Sequence, residues 1–164
     1  MQSYTKERLL ETVENNLNCT LNILKYNKEN GFYFFRISSE LVPFASHPIN
    51  EVEWWKLFDK KLEEIGKFIK ENNMRISMHP DQFVLINSPD EKIFQKSLKD
   101  LEYHCRILEG MGLDSSAKIQ IHVGGVYNDK PKAIERFIDR YNKLPLNIKN
   151  RLVIENDDKS YSLK

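Results

Sequence analysis

The sequence predicts an α/β protein with about four parallel strands and helices on the outside, forming part of a TIM-type (β/α) barrel. Two observations lead to this prediction. Amphipathic helical patterns alternate along the chain with short apolar runs typical of strands, an order that favours right-handed βαβ units and a parallel sheet. The predicted strand ends also recur at intervals of about 33 to 43 residues, which suits such a barrel. They fall near Ser38, Met78, Ile121 and Ile154.

The first predicted helix runs from Lys6 to Glu29. Its apolar side chains recur every three or four residues and define one face for burial. They are Leu10, Val13, Leu17, Leu21 and Leu24. Gly31 is predicted to end this helix, because glycine accepts the backbone conformation that follows a helix C-terminus. The aromatic run Phe32–Ile37 then predicts the first strand.

The same criteria predict three further helices and three further strands. Apolar spacing defines the helices, short apolar runs define the strands, and Pro or Gly residues end several elements. In chain order they are a helix over Val52–Ile69 that ends near Asn72 and Asn73, a strand over Arg75–Met78, a helix that starts at Ser88-Pro89-Asp90 and ends at Gly110 or Gly112, a strand over Lys118–Ile121, a helix over Pro131–Tyr141 and a strand over Leu152–Ile154.

The chain length of 164 residues suits one domain, predicted over residues 1–164. Four strands are half of the eight in a complete barrel, and a half-barrel leaves two open sheet edges, which are a liability. We therefore expect an incomplete barrel. Either the chain is a fragment, which we favour and which implies no obligate protein partner, or another chain completes the barrel.

Composition indicates a folded protein, since 40% of the residues are hydrophobic and 11% are aromatic. The net charge of +1 neither predicts nor excludes a nucleic-acid partner. We expect a cytoplasmic protein of a bacterial type that does not enter the membrane, because no apolar run reaches membrane-spanning length. Cys19 and Cys105 are predicted to be buried, reduced thiols.

Three of the predicted strands end in residues that can bind a metal ion: His79, His122 and Glu155. In parallel βα folds the active site lies at the C-terminal ends of the strands. Each histidine alone could instead cap its strand or form a structural hydrogen bond. Three such residues at consecutive strand ends favour a site for zinc or manganese, with open positions for water and substrate.

The loops after the two histidines carry residues suited to a base or a phosphate. Gln82 and Phe83 offer an amide and an aromatic ring beside the first histidine, although a satisfied loop amide and a core ring are equally good explanations. Gly124 and Gly125 follow the second histidine and would let backbone N–H groups approach a phosphate. Glycine pairs are also common in ordinary turns, so this second motif is weak by itself.

Several groups of residues together carry a resemblance to a known family. They are Arg36-Ile37-Ser38-Ser39, Pro43, His47-Pro48, His79-Pro80-Asp81-Gln82-Phe83, Ile121-His122-Val123-Gly124-Gly125 and Val153-Ile154-Glu155-Asn156-Asp157-Asp158. In order and spacing, over nearly the whole chain, they resemble the ultraviolet damage endonuclease family. The resemblance implies a barrel related to apurinic endonuclease IV with a cluster of divalent metal ions, usually manganese, with zinc or magnesium as alternatives. It also implies nicking of damaged double-stranded DNA 5′ to cyclobutane dimers, 6-4 photoproducts and some abasic sites.

Matched residue by residue, the resemblance implies catalytic and metal-binding roles for His79, His122 and Glu155, with Glu155 bridging to a second metal ion. Gln82 and Phe83 match the pair that probes the damaged bases. Some members have a tyrosine at the second position, so Phe83 keeps the stacking face and lacks the hydroxyl. Further DNA contacts are implied for Arg36, Ser38 and Gly124, and for His47 as a phosphate or metal contact.

The chain also departs from the family pattern. The family's first strand has no counterpart before Tyr4. The units after Glu155, with further Asp, His and Glu ligands and a lysine that is carboxylated in some members, are absent. This chain alone is therefore expected to be weakly active or inactive. Two alternatives stay open: a sugar isomerase or aldolase of related barrel type, and a catalytically inactive or partner-completed module.

Overall fold

The computed structural model describes residues 4–162 of the chain. These residues form four strands and six helices. In chain order they are α1 (Lys6–Glu29), β1 (Phe34–Ile37), α2 (Trp54–Leu57), α3 (Asp59–Glu71), β2 (Arg75–Met78), α4 (Glu91–Gly110), β3 (Lys118–His122), α5 (Lys130–Lys143), α6 (Leu146–Arg151) and β4 (Leu152–Glu155). None of the helices in this described part combines the length and the apolar composition needed to cross a membrane.

The four strands pair in parallel in the order β1-β2-β3-β4, which is also their order in the chain. Each helical connection therefore returns the chain to the neighbouring strand, as βαβ units require. The predicted fold class is confirmed by this single parallel sheet with helices packed against it. Among the residues that the structure describes, β1 and β4 each pair with one strand, so the sheet has two open edges.

The two faces of the sheet differ in chemistry, because successive side chains of a strand point to opposite sides. Ile37, Met78 and Ile119 lie side by side on one face and are at most 1% exposed. They share one hydrophobic core with apolar side chains of α1, α3 and α4. The opposite face carries polar side chains, including Arg36 and Gln120. This polar face leads to the strand ends where the candidate metal ligands lie.

Helix α1 has the predicted bounds and the predicted ends. The Thr5 hydroxyl accepts a hydrogen bond from the Arg8 backbone N–H at 3.2 Å and caps the N-terminus. Gly31 follows the C-terminus in the left-handed conformation, with φ +76°. The buried face begins at Leu9, which is 4% exposed, and not at Leu10 as predicted. Both leucines fit a three-to-four-residue spacing, so only the docking of the helix distinguishes them.

Several predicted elements have slightly different bounds in the structure, and two of these differences have a visible cause. Strand β1 begins at Phe34 and not at Phe32, because the Phe32 N–H donates to the carbonyl of Asn27 at 2.8 Å and so belongs to the turn that ends α1. The helix predicted over Val52–Ile69 is interrupted at Phe58, whose φ of −111° and ψ of 20° separate α2 from α3.

Helix α6 was not predicted, because its six residues are too few to show a periodic pattern. Its position follows from long-range contacts. Ile148 is fully buried and Arg151 is 6% exposed. The Arg151 guanidinium donates to the carbonyl oxygens of Leu113 at 2.7 Å and Ala117 at 3.2 Å. These contacts attach α6 to the segment that leads into β3.

The two cysteines differ in burial. Cys105 is 1% exposed, as predicted. Cys19 is a free thiol but is exposed, so the prediction that it is buried is wrong. It lies on α1 between the buried Leu17 and Leu21, on the part of the helix that faces away from the core.

Candidate metal centre

Three side chains from three strands converge at the C-terminal edge of the sheet. His79 follows β2, while His122 and Glu155 are the last residues of β3 and β4. Their ligand atoms all lie within 4.8 Å of one another. His79 Nε2 is 3.2 Å from Glu155 Oε2, and His122 Nε2 is 4.0 Å from the same oxygen. The structure therefore brings together the three residues predicted from the sequence to be metal ligands.

The strand register explains this convergence. His122 on β3 is the registered partner of Glu155 on β4. Side chains paired across parallel strands point to the same side of the sheet. His79 lies two residues after Ser77, which pairs with Arg36 on the polar face. The period of two along a strand directs His79 to that face as well.

The hydrogen bond on the far side of the His79 ring determines which nitrogen can act as a ligand. Nδ1 lies 2.7 Å from the carbonyl oxygen of Pro80. A carbonyl only accepts hydrogen bonds, so Nδ1 carries the proton and donates it. The lone pair of Nε2 then faces Oε2 of Glu155 across 3.2 Å. Two acceptors at this distance require either a proton or a cation between them.

The spacing between His79 Nε2 and Glu155 Oε2 fits a divalent cation. Two ligands that bind one ion at about 2.1 Å, at right or tetrahedral angles, are separated by about 3.0 to 3.4 Å. The His79–Glu155 distance of 3.2 Å falls in this range. The side chains of His122 and Glu155 are 43% and 40% exposed, so solvent and a substrate can reach the ligand atoms. Two imidazoles and one carboxylate are a donor set that suits manganese or zinc.

Glu155 is held in its ionised form. Desolvation raises the pKa of this carboxyl, but the hydrogen bond from Gln120 and the neighbouring side chains of His79 and His122 act in the opposite direction and prevail. The pKa of Glu155 therefore lies below its usual value. A carboxylate that is ionised at neutral pH is ready to bind a cation.

Gln120 contacts this centre and was not singled out from the sequence. Its Nε2 atom donates to Glu155 Oε2 at 2.6 Å, and its Oε1 atom accepts from Arg36 Nη2 at 3.4 Å. The residue lies two positions before His122 on β3, so both side chains lie on the same face. A polar residue on the same face of the strand as His122, two positions before it, was the signal that could have identified Gln120.

The glycine loop after His122 is packed against buried side chains. Gly124 has φ +109°, and a Cβ atom at this position would lie 2.2 Å from Oδ1 of Asn87. Asn87 is fully buried, and its Nδ2 atom donates to the carbonyl of Gly125 at 2.8 Å. The Tyr161 hydroxyl donates to the same carbonyl at 3.0 Å. Glycine at position 124 is therefore required by backbone conformation and by contact with Asn87.

Gln82 and Phe83 lie exposed in the loop that follows β2. The Phe83 ring is 70% exposed, so the alternative in which it is a core residue is wrong. It borders a surface cavity of about 390 Å³ that Ile93 and Lys96 of α4 also line. An exposed ring in the loop that follows His79 is available for contact with another molecule.

The other predicted DNA contacts lie after or within β1. The Ser38 hydroxyl accepts from the Glu40 N–H at 3.2 Å and shapes the turn that follows the strand. His47 is exposed, and its Nδ1 atom accepts from the Ile49 N–H at 3.1 Å. Arg36 reaches across the polar face toward β3. The converging group of metal-ligand atoms contains none of these three residues.

Comparison with known proteins identifies the family. A sequence model described as UV-endonuclease UvdE matches residues 1–164 of this chain. The chain belongs to the UvdE family. The resemblance noted from the sequence motifs is thereby confirmed.

Relatives of the UvdE family match most of the chain. A UV DNA damage endonuclease of Clostridium perfringens (strain 13 / Type A) is 45% identical over 163 residues, which are 99% of this chain and 40% of that protein. Another of Bacillus cereus (strain Q1) is 42% identical over 157 residues, which are 96% of this chain and 50% of that protein. The chain thus spans about half the length, or less, of these curated relatives.

A solved structure confirms the similarity in three dimensions. The crystal structure of SacUVDE superposes with a TM-score of 0.94 at 47% sequence identity. The match covers 98% of this chain and 55% of that one.

Proposed function

We propose that this chain is the central part of a metal-dependent DNA-repair endonuclease. It would nick damaged double-stranded DNA 5′ to cyclobutane dimers, 6-4 photoproducts and some abasic sites. The observation that carries the proposal is the convergence of His79, His122 and Glu155 in a member of the UvdE family. The shared name of the relatives, UV DNA damage endonuclease, supports the reaction. The bacterial origin of these relatives supports action in the cytoplasm of a bacterial-type cell.

His79, His122 and Glu155 would hold the divalent cation. We propose manganese, which the family resemblance implies; zinc suits the same donors, whereas magnesium prefers oxygen ligands and two of these three donors are nitrogens. When bound, the ion would polarise the phosphodiester and lower the pKa of a coordinated water.

The side chains prepare the centre for this chemistry. The Pro80 carbonyl fixes the His79 ring and leaves Nε2 as the ligand atom. Glu155 supplies negative charge to the cation, and its partial exposure leaves one side of the centre open to a phosphate. Arg36, Ser38, His47 and Gly124 are proposed to contact the DNA around this opening.

We assign recognition of the damaged base to the loop after β2. Phe83 lies four residues beyond His79 and is 70% exposed, so its ring can stack on a base without moving out of a core. Such stacking is worth roughly 1 to 3 kcal/mol per base. A damaged nucleotide stacks and pairs poorly, so less free energy is needed to extrude it from the duplex. Gln82, exposed in the same loop, would hydrogen-bond to the base edges.

The two open edges of the sheet indicate that additional strands are needed to complete the barrel. Phe34 on β1 and Ile154 on β4 are 50% and 45% exposed. We propose that further strands of a longer protein cover these edges, and that the chain alone is weakly active or inactive. A module completed by another chain remains the second candidate, because the same two edges would accept it. The sugar isomerase or aldolase alternative is not kept, since the chain belongs to the UvdE family.

A chimera tests the proposal. In the Clostridium perfringens relative, the 163 matching residues are replaced by the corresponding residues of this chain. The chimera should nick a duplex that contains one cyclobutane dimer, and the nick should lie 5′ to the lesion. Nicking should occur with Mn²⁺ and should not occur when EDTA removes the metal ion. The change Glu155→Ala should abolish nicking, whereas Glu63→Ala, at an exposed position of α3, should leave it unchanged. A folded chimera that does not nick, or that nicks undamaged DNA equally well, would overturn the proposal.

A further inference from the structure

Gln120 lies between the candidate metal centre and Arg36 on the polar face of the sheet. We propose that Gln120 is a positioning residue, which holds the Glu155 carboxylate in place for the cation, and that Arg36 fixes the orientation of the Gln120 amide. The inference rests on the proposed function, because it takes Glu155 to be a metal ligand.

The first step is the contact with Glu155. Gln120 Nε2 donates to Oε2 at 2.6 Å, and Oε2 is the oxygen that lies 3.2 Å from His79 Nε2. The Glu155 side chain is 40% exposed, so little packing restricts its rotamers. The amide hydrogen bond therefore keeps Oε2 among the ligand atoms. Gln120 donates with a nitrogen that has no lone pair for a metal ion, so its effect on the cation passes through Glu155.

The second step is the orientation of the amide. A glutamine amide has an accepting oxygen at one corner and a donating nitrogen at the other, whereas a guanidinium only donates. Arg36 Nη2 lies 3.4 Å from Gln120 Oε1, which turns Nε2 toward Glu155. The flipped amide would place an N–H group against the guanidinium and an oxygen against the carboxylate. Both neighbours therefore select the same orientation.

The sheet register makes this arrangement geometrically accessible. Met78 and Ile119 are paired across β2 and β3, and His79 and Gln120 each lie one residue beyond that pair. Both side chains thus reach the same carboxylate oxygen. Arg36 starts from β1 and must cross β2 to reach β3. The residue paired with it on β2 is Ser77, whose small side chain leaves room for the guanidinium to pass.

Metal affinity of the 164-residue chain tests the positioning role. Binding of Mn²⁺ is measured by the EPR signal of the free ion, with circular dichroism and urea denaturation in EDTA as checks of folding. Gln120→Leu should weaken Mn²⁺ binding by about tenfold, as loss of a residue that orients a metal ligand does. Gln120→Asn should weaken it similarly, because the shorter amide does not reach Glu155. The control Gln95→Leu, at an exposed position of α4, should bind Mn²⁺ like the unmodified chain.

A double-mutant cycle tests the role of Arg36. Arg36→Met should weaken Mn²⁺ binding by about threefold in the unmodified chain and cause no further loss in Gln120→Leu, because Arg36 acts through the amide. If Arg36→Met lowered Mn²⁺ affinity equally in the unmodified chain and in Gln120→Leu, the role assigned to Arg36 would be overturned. Unchanged Mn²⁺ affinity in Gln120→Leu and Gln120→Asn would overturn the positioning inference and leave the proposed function intact. Absence of Mn²⁺ binding by the unmodified chain would instead count against the proposed metal centre.

Discussion

Glu155 Oε2 lies 3.2 Å from His79 Nε2, although 76 positions separate the two residues in the chain. The proton of the His79 ring is committed to the Pro80 carbonyl, so without a cation this contact requires a doubly protonated imidazole. A divalent cation satisfies both atoms at once. It can do so only when β2 and β4 are assembled, since residues this far apart do not form a site in the unfolded chain. Binding of a cation at this centre would therefore be coupled to folding.

The first prediction concerns this coupling. Mn²⁺ at one hundred times its dissociation constant should raise the free energy of unfolding of this chain by about 2.7 kcal/mol relative to EDTA. Urea denaturation monitored by circular dichroism measures the difference. His79→Ala should remove most of it, because one of the three ligands is lost. An equal effect of Mn²⁺ on His79→Ala would show that the stabilisation comes from another site.

The second prediction separates His47 from the ligands. Its ring lies in the loop after β1, outside the converging group of ligand atoms. His47→Ala should therefore keep the Mn²⁺ affinity of this chain within about twofold, since residues without a shared contact act independently. Its affinity for a duplex should fall if the ring contacts a phosphate. A loss of Mn²⁺ affinity as large as that of His79→Ala would make His47 a metal ligand.

The third prediction concerns damage recognition by Phe83. Phe83→Ala should lower the affinity of the protein for a duplex that contains a cyclobutane dimer about five- to a hundred-fold, because stacking of one base is worth roughly 1 to 3 kcal/mol. Fluorescence anisotropy with damaged and undamaged duplexes measures this change. Mn²⁺ affinity should stay constant. Phe32→Ala is the matched control, since that ring is 58% exposed but precedes β1 at the opposite end of the sheet. Equal losses in the two variants would contradict a specific role for Phe83.

The fourth prediction compares two glycines with positive φ. At Gly31, φ is +76° and no atom lies within 4 Å of an added Cβ, so Gly31→Ala should lower the free energy of unfolding by about 1 to 2 kcal/mol through backbone strain alone. At Gly124 the Cβ would also lie 2.2 Å from Asn87 Oδ1. Gly124→Ala should therefore lower the free energy of unfolding by about 2 to 4 kcal/mol. Urea denaturation would refute this account if Gly31→Ala were the more destabilised variant.

The fifth prediction concerns thiol reactivity. Burial raises the pKa of the Cys105 thiol to about 11, so its thiolate is scarce at pH 8. Cys19 is exposed on α1. In the native chain a thiol reagent at pH 8 should modify one cysteine rapidly, and mass spectrometry should locate the label at Cys19. Both should react in guanidinium chloride. Rapid labelling of Cys105 under native conditions would mean that α4 opens readily or packs differently.

Much of the fold was predictable because it is encoded by neighbouring residues. The bounds of α1 were predicted from apolar side chains on one helical face and from Gly31, which act over a few residues. Alternation of such helices with short apolar runs was sufficient to predict a parallel sheet. That topology in turn predicted that His79, His122 and Glu155 lie near one another, because the carboxyl ends of parallel strands share one edge.

Other features depend on contacts between residues far apart in the chain, and only the tertiary structure determined them. Periodicity permitted Leu9 or Leu10 at the start of the buried face, and the docking of α1 selected Leu9. The short helix α6 is held by hydrogen bonds from Arg151 to a segment more than 30 residues away; Ala117, one of the acceptors, lies 34 positions earlier in the chain. Gln120 became part of the centre through contacts with side chains on β1 and β4. A local pattern determines which face a residue occupies, whereas only the assembled sheet determines which partners it meets there.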